Sequence, residues 1–504
     1  MIQLRTYRSG LILFFVGFLV LLGLLWPQPV RLSAEVIKQV ANSGQEAILA
    51  EQLAPLMGQS EANTYVFIGR LRQQLTQYND QVKAQQKWDQ QLSDDYLLSV
   101  TKAATVGPLS TTGGAWLWFG LSIGLCTIGA LIAILAERHQ KPAAINNGIF
   151  SNPATNRGWI GWAVGSFLIA FYVVLYFYPE YLTNWILLIN PLKQALTGQP
   201  ASQWFLYGFI YTLTILVMGI RMLIRHRYNA YQQLRTASVM FFQTAFAFLI
   251  PEILTLLQQP YQDLKNIWPL DYSFFFDYRI NEKLQAGTFG IFMLVWGIIL
   301  TVVAVPTLTY FYGKRWYCSW VCGCGGLAET AGDPYRQLSD KKLSAWKAER
   351  VLVHGVLAFA VIMTGLVLYT YFTGQSALFG VLDSYSLRSA YSFWIGAMFS
   401  GVIGTGLYPI FGNRVWCRFG CPLAAYLGLV QRFKSRFRIT TNGGQCISCG
   451  NCSTYCEMGI DVRWYAQRGQ DIVRSSCVGC GICSAVCPRG VLNLETGTVD
   501  SRRI

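Results

Sequence analysis

Long apolar runs alternate with short basic breaks through most of this chain, and the runs have the length of bilayer-crossing helices. A span needs about 20 mostly apolar residues. Eight segments qualify, at about 10–29, 114–136, 159–178, 204–224, 238–257, 288–312, 351–372 and 391–411. Their flanks set an orientation under the positive-inside rule. Arg5 and Arg8 precede the first run, Arg138 and Lys141 follow the second, and Arg221, Arg225 and Arg227 close the fourth. Lys314 and Arg315 close the sixth, Lys341, Lys342, Lys347 and Arg350 precede the seventh, and Arg414 ends the eighth. The connections near 179–203 and 374–390 carry one basic residue each, Lys193 and Arg388. The pattern predicts an α-helical integral membrane protein with about eight transmembrane helices, both termini cytoplasmic. The first run reads as an uncleaved anchor (1–30), since RLSA at 31–34 makes a poor signal-peptide cleavage site.

Between the runs the pattern changes. Residues 31–113 have mixed helical periodicity and no Cys or His, predicting an outer (periplasmic) domain of two or three amphipathic helices without visible chemistry. Transmembrane helices two to four follow (114–237), with a polar connector at 137–158, and then a transmembrane core (238–437). Its last stretch, PLAAYLGLVQRFKSRF at 422–437, is amphipathic and basic and suits the inner membrane surface. A cysteine-rich cytoplasmic domain of α+β character closes the chain at 438–504.

Composition agrees: 53% of the residues are hydrophobic and 13% charged, against about 25% charged in soluble domains. The net charge of +15 gathers at the ends of apolar runs, which argues against nucleic acid as a partner. The fourteen cysteines are spaced for metal ligation rather than for disulfides.

The tail carries C-x2-C-x2-C-x3-C twice: Cys446, Cys449, Cys452 and Cys456, then Cys477, Cys480, Cys483 and Cys487, the latter followed by Pro488. This is the bacterial two-cluster ferredoxin pattern, in which the fourth Cys of each run ligates the other [4Fe-4S] cluster. Cluster A would take Cys446, Cys449, Cys452 and Cys487; cluster B would take Cys477, Cys480, Cys483 and Cys456. Paired zinc knuckles are the weaker alternative. Glu457 stands where a proline would follow Cys456, which predicts altered exposure near cluster B.

A second constellation lies at the membrane boundary. GKRWYCSWVCGCG (313–325) and GNRVWCRFGCP (412–422) align, with Gly313, Arg315, Cys318 and Cys322 recurring as Gly412, Arg414, Cys417 and Cys421. In C-x3-C the thiols sit at i and i+4, so a continuing helix would turn both to one face. Two such ends could present four thiolates to one centre, with Arg315 and Arg414 stabilising them. Cys324 is surplus and an alternative ligand to Cys322. The readings are a third Fe–S or mononuclear iron site, a redox-active dithiol pair, or packing.

The three histidines, His139, His226 and His354, all fall on the inner side, so a bis-His haem pair across the membrane cannot be assembled. No C-x-x-C-H exists for c-type haem. His354 opens the helix after the first motif and is a candidate thiol-site neighbour or quinone contact; Glu252 is a candidate proton or quinone group. Cys126 reads as a small buried hydrophobe, and STTGGA (110–115) fails as a flavin attachment site.

The residues WYCSWVC (316–322), WCRFGCPLAAYLG (416–428) and the two ferredoxin runs resemble the membrane polyferredoxin family that includes NapH-, NosR- and CcoG-like proteins. The resemblance covers about 238–504, and Gly323 departs from it where proline is usual. It implies electron transfer between the quinone pool and a redox partner protein or terminal reductase at a bacterial cytoplasmic membrane. The other classes left open are a maturation or regulatory protein that reduces a client's metal or thiol, and a thiol redox sensor.

Overall fold

The computed structural model describes residues 2–42, 44–138, 152–375, 377–378 and 382–497. His139, Lys141 and most of the 137–158 connector lie outside the described residues. The described chain is mostly helical, and its three sheets have two strands each. Seven helices are long and apolar enough to cross a membrane: Leu4–Gly23, Thr112–Glu137, Trp159–Phe177, Gln203–Arg225, Ala230–Leu256, Gly287–Tyr312 and Leu343–Thr373. The eighth expected span does not meet that test. It is helical from Ser384–Tyr391 through the wider π-type turns of Ser392–Ile403 to Gly404–Gly406, then turns at Leu407 before Tyr408–Phe411. Ser392, Gly396, Ser400, Gly401, Gly404 and Gly406 dilute its apolar content, and Pro409 starts a new turn.

The chain divides into two compact units, residues 1–137 with 173–209, and residues 138–172 with 210–504. In the first unit, Leu4–Gly23 crosses Thr112–Glu137 at backbone contact. A Cβ on Gly10 would lie 2.6 Å from Ala133 N, and one on Gly17 would lie 2.7 Å from Cys126 N. Small residues at such a crossing let two apolar helices gain dispersion contacts that lipid would otherwise supply. Cys126 serves this contact, its thiol 3.5 Å from the Phe14 carbonyl oxygen. Residues 31–104 pack four helices, Ala34–Val40, Glu46–Leu53, Thr64–Ala84 and Asp95–Ala104, over Ile37, Leu49, Leu53, Phe67, Leu71, Leu75 and Val100. STTGGA is a helix start, with Thr111 accepting from the Gly114 N–H. The 179–203 connection holds a mostly buried helix, Thr183–Thr197. Its Asn184 and Trp185 side chains donate to the Leu24 and Leu21 carbonyls, both at 2.8 Å, which satisfies carbonyls orphaned at a helix end.

In the second unit, residues 257–276 do not loop away from the helices they join. Trp296 Nε1 donates to Leu264 O (3.0 Å), Trp268 Nε1 to Thr364 Oγ1 (3.0 Å), and the Tyr317 hydroxyl to Lys265 O (3.1 Å). Ile267 packs in the same core as Val305, Tyr317, Cys318 and Cys322. The segment therefore runs back along the spans to the first cysteine motif, its non-helical backbone held by protein. The tail is closed by antiparallel strands Arg438–Thr441 and Leu492–Glu495, pairing Ile439 with Leu494.

Candidate functional site

Each ferredoxin run folds the same way. Gly450 (φ +80°) and Gly481 (φ +75°) begin the short helices Asn451–Thr454 and Ile482–Ala485, placing Cys452 and Cys483 at matching positions. Only glycine takes that backbone without strain. The fourth cysteines also match: Cys456 Sγ accepts from the Ile460 N–H and Cys487 Sγ from the Val491 N–H, both at 3.4 Å. Cys446, Cys449, Cys452 and Cys487 line one pocket with Arg463 and Arg489. Cys456, Cys477, Cys480 and Cys483 line another. Among the described residues, no group of three or more His, Cys, Asp or Glu could hold a single metal ion. A [4Fe-4S] cubane takes one thiolate on each of four irons, so it calls for cysteines around a cavity, as here. The donor set and the sulfur-directed N–H groups fit such a cluster.

The two membrane-boundary motifs are a structural repeat. Gly313 (φ +65°, ψ 179°) and Gly412 (φ +94°, ψ 169°) make the same left-handed break after a helix. The Cys322 N–H donates to Tyr317 O (2.8 Å), and the Cys421 N–H to Trp416 O (2.9 Å), five residues back in both cases. The expected continuous helix through C-x3-C is absent. Cys318 ends helix Arg315–Cys318, and Cys322 is the N-cap of Gly323–Thr330; Cys421 is likewise the N-cap of Pro422–Lys434. The second cysteine of each pair thus sits in the positive field of a helix start, which favours thiolate, although burial and the neighbouring cysteines still push Cys421 well up. Cys421 Sγ accepts from the Ala424 N–H at 3.4 Å. Cys318, Cys322, Cys417 and Cys421 share one buried core, with Cys324 packed against it.

Charge around these thiols is unequal. A hydrogen bond from Cys324 brings Cys322 down to about 6 against the cost of burial, with the Gly325 N–H, Lys265 and Arg414 adding to it. Burial pushes Cys318 up to about 12, although Lys314 and Arg414 pull it down. Arg414 does what the sequence suggests, its guanidinium lying 3.6 Å from Cys417 Sγ and 3.3 Å from Cys318 O. Arg315 does not: it stacks 4.5 Å over the Phe437 ring. Its place beside Cys318 is taken by the buried Lys314. Lys265, paired with Asp263 at 2.8 Å, is the other cation that sequence reasoning missed.

Behind the thiols lies a buried ion network. Arg414 pairs with Glu329 and with Glu457 (2.9 Å); Arg336 pairs with Glu457 (2.7 Å) and Asp333 (2.7 Å); Arg235 and Arg225 pair with Glu329 and Asp333. Burial alone would raise Glu457, but Arg414 and Arg336 hold it down at about 2. Glu457 is 0% exposed, so the departure from proline buries this residue and joins the tail to Arg414 of the second motif and to Arg336. Glu252 is buried in the last turns of its helix. His354 lines a small pocket with Cys417, Arg418, Glu349, Lys314 and Ser476. Its Nδ1 is 2.7 Å from Arg350 O; a carbonyl only accepts, so Nδ1 carries a hydrogen.

Comparison with known proteins agrees with this geometry. Residues 445–492 match the family described as a 4Fe-4S dicluster domain. Residues 290–344 and 393–440, which include both membrane-boundary motifs, match the 4Fe-4S binding domain family. YccM of Escherichia coli (strain K12), named for electron transport, is 27% identical over 157 residues, 30% of this chain and 43% of that one. The methylamine utilization ferredoxin-type protein MauN of Paracoccus denitrificans (strain Pd 1222) is 30% identical over 168 residues, 31% of this chain and 55% of its own. Protein NirI of the same strain is 28% identical over 186 residues, 36% and 26% of the two chains. The chain spans about half the length of these relatives or less. No solved structure matches.

Fold and site define a multi-pass membrane protein of the iron–sulfur class. More particularly, it carries ferredoxin-type 4Fe-4S domains and is similar to the membrane polyferredoxin-like proteins that its cysteine runs resemble.

Proposed function

We propose that the chain carries single electrons between the quinone pool and a redox partner at a bacterial cytoplasmic membrane, both termini on the cytoplasmic side. Two [4Fe-4S] clusters would be held by Cys446, Cys449, Cys452 and Cys487, and by Cys477, Cys480, Cys483 and Cys456. A third iron–sulfur centre would be held by Cys318, Cys322, Cys417 and Cys421, with Cys324 donating to Cys322 rather than ligating. The observation that carries the reading is the partition of the eight ferredoxin cysteines into two four-cysteine cavities beside a duplicated four-cysteine locus. Bound clusters supply one-electron redox chemistry at potentials that the surrounding charge tunes. The protein's part is to exclude water, to direct N–H groups at the sulfurs and to place Arg414, Lys314 and Lys265 as counter-charge. His354, which lines the cavity beside Cys417, would be the candidate proton or quinone contact. Anaerobic purification with iron analysis and EPR tests this. More than eight irons per chain, with clusters re-oxidised by a quinone analogue, is the expected result. Eight irons unchanged in Cys318→Ser with Cys417→Ser removes the third centre, and clusters indifferent to every quinone remove the quinone link.

A further inference from the structure

The two four-cysteine cavities face different surroundings. The 477–483 loop is covered by side chains from the membrane-boundary part of the chain. Tyr231 Oη donates to Gly479 O (2.7 Å), Gln232 Nε2 to Cys480 O (2.7 Å), Ser319 Oγ to Val478 O (2.9 Å) and Gln431 Nε2 to Cys477 O (2.9 Å). The 446–452 loop faces out, and Cys449 alone among the fourteen cysteines is exposed. Beside it, Ile447 is 57% exposed and Trp464 43%. Arg463, Arg468 and Arg489 are exposed around them, and the cavity lining contains no carboxylate. This surface is held in shape: Arg468 lies 4.1 Å over the Trp464 ring, and Gln467 Nε2 donates to Ser448 Oγ at 2.6 Å.

We infer that the Cys449 face is the docking surface for an acidic, soluble one-electron carrier protein, which makes the 446–452 loop the outermost station of the electron path. This rests on the reading that both four-cysteine cavities hold clusters. An apolar centre with a basic rim is how a transient interface combines desolvated contact with charge steering. The exposed thiolate gives the shortest route between the two redox centres. In the outward direction one electron crosses at Cys449 to the oxidised carrier, which is reduced by one. No bond forms and no proton moves. The order along the chain then runs from the motif thiols, past the covered 477–483 loop, to the exposed 446–452 loop.

The test uses the full chain in detergent with its iron measured, and two probes: an acidic plant-type [2Fe-2S] ferredoxin and a basic c-type cytochrome. Binding is read as Kd, and re-oxidation of the reduced chain by stopped flow. The acidic probe is expected to bind at least about tenfold more tightly than the basic one, and to weaken as ionic strength rises from about 0.01 M to about 0.1 M, where the Debye length falls from about 30 Å to about 10 Å. Arg463→Glu and Arg489→Glu should each weaken it by about tenfold, mainly through the association rate. Arg463→Lys should retain binding. Arg468→Glu, away from the cavity lining, gives the same readout should the other two lose iron. Equal binding of both probes, or Kd values unmoved in all three charge reversals at full iron content, overturns the docking surface and leaves the cluster reading standing. Fewer than eight irons per chain, without a reduced-cluster EPR signal, overturns the cluster reading and this inference with it.

Discussion

Glu457→Gln is the sharpest probe of how the ferredoxin tail is held. The substitution keeps the side chain's size and one acceptor oxygen but removes a charge that faces two guanidinium groups, Arg336 at 2.7 Å and Arg414 at 2.9 Å. All three residues are at most 1% exposed, so water cannot replace the lost partner. Among the described ion pairs of this network, four arginines (Arg225, Arg235, Arg336, Arg414) face three carboxylates (Glu329, Asp333, Glu457), and the change removes one of those negative charges. Removing one member of a buried pair costs about 3–5 kcal/mol. Arg336 keeps Asp333 and Arg414 keeps Glu329, which places the expected loss near about 3 kcal/mol, or about two orders of magnitude in the docked-to-undocked ratio. Native-state proteolysis and hydrogen exchange across 455–480 should read that opening directly. EPR should show the centre beside Cys456 and Cys480 bleaching before its neighbour. Glu457→Leu with Arg336→Met should recover much of the loss, because no buried charge is then left unpaired by that contact. Exchange and cluster lifetime in Glu457→Gln equal to wild type would refute the view that these ion pairs hold the tail.

Four further outcomes follow from the same geometry. His226 is depressed to about 4, chiefly by burial, with Arg225, Arg336 and Arg235 opposing Asp333. Between that value and its unfolded value of about 6.5 the unfolded chain binds the extra proton. Stability should therefore fall as pH drops through this window and level off below it, and His226→Gln should flatten the slope in thermal unfolding. Gly129→Leu drives a side chain into the Phe14 backbone, an overpacking cost of about 1–3 kcal/mol or more, visible as a lower melting temperature in detergent. Lys265→Met removes a cation near Cys322 and should lower the midpoint potential of the proposed third centre, by about 60 mV for each 1.4 kcal/mol lost, in redox-titrated EPR. Cys324→Ser should retain iron and shift that potential, whereas Cys322→Ser should lose the centre; iron analysis separates the two.

What could be read without coordinates follows from range. Apolar runs and C-x2-C spacings are local, so the spans and both ferredoxin loops are legible as patterns. The 391–411 run is a weaker case because its serines and glycines suit close helix contacts as well as turns. The duplicated motif was visible as a repeat, but periodicity alone could not place the helix break between Cys318 and Cys322. The ion network was not legible at all: its members come from segments near 225–235, 329–336, 414 and 457, and each reads singly as solvated charge. Residues 257–276 mix aromatic, acidic and apolar positions without a period, so nothing local marks them as lining the protein interior. Of the proposed site residues, Arg315 failed because the repeat in sequence is not a repeat in environment.

That inequality has its source in the 257–276 segment. A duplicated hairpin left to itself would set Cys318 and Cys322 against Cys417 and Cys421 as near-equivalent halves. The segment breaks the equivalence by bringing Lys265 to the first motif, while Arg414 touches both, at Cys417 Sγ and Cys318 O. The locus thereby has a built-in polarity: its two ends hold charge at different cost. Since the segment enters from the far ends of the helices it joins, whatever moves those ends also moves the balance between the two thiol pairs.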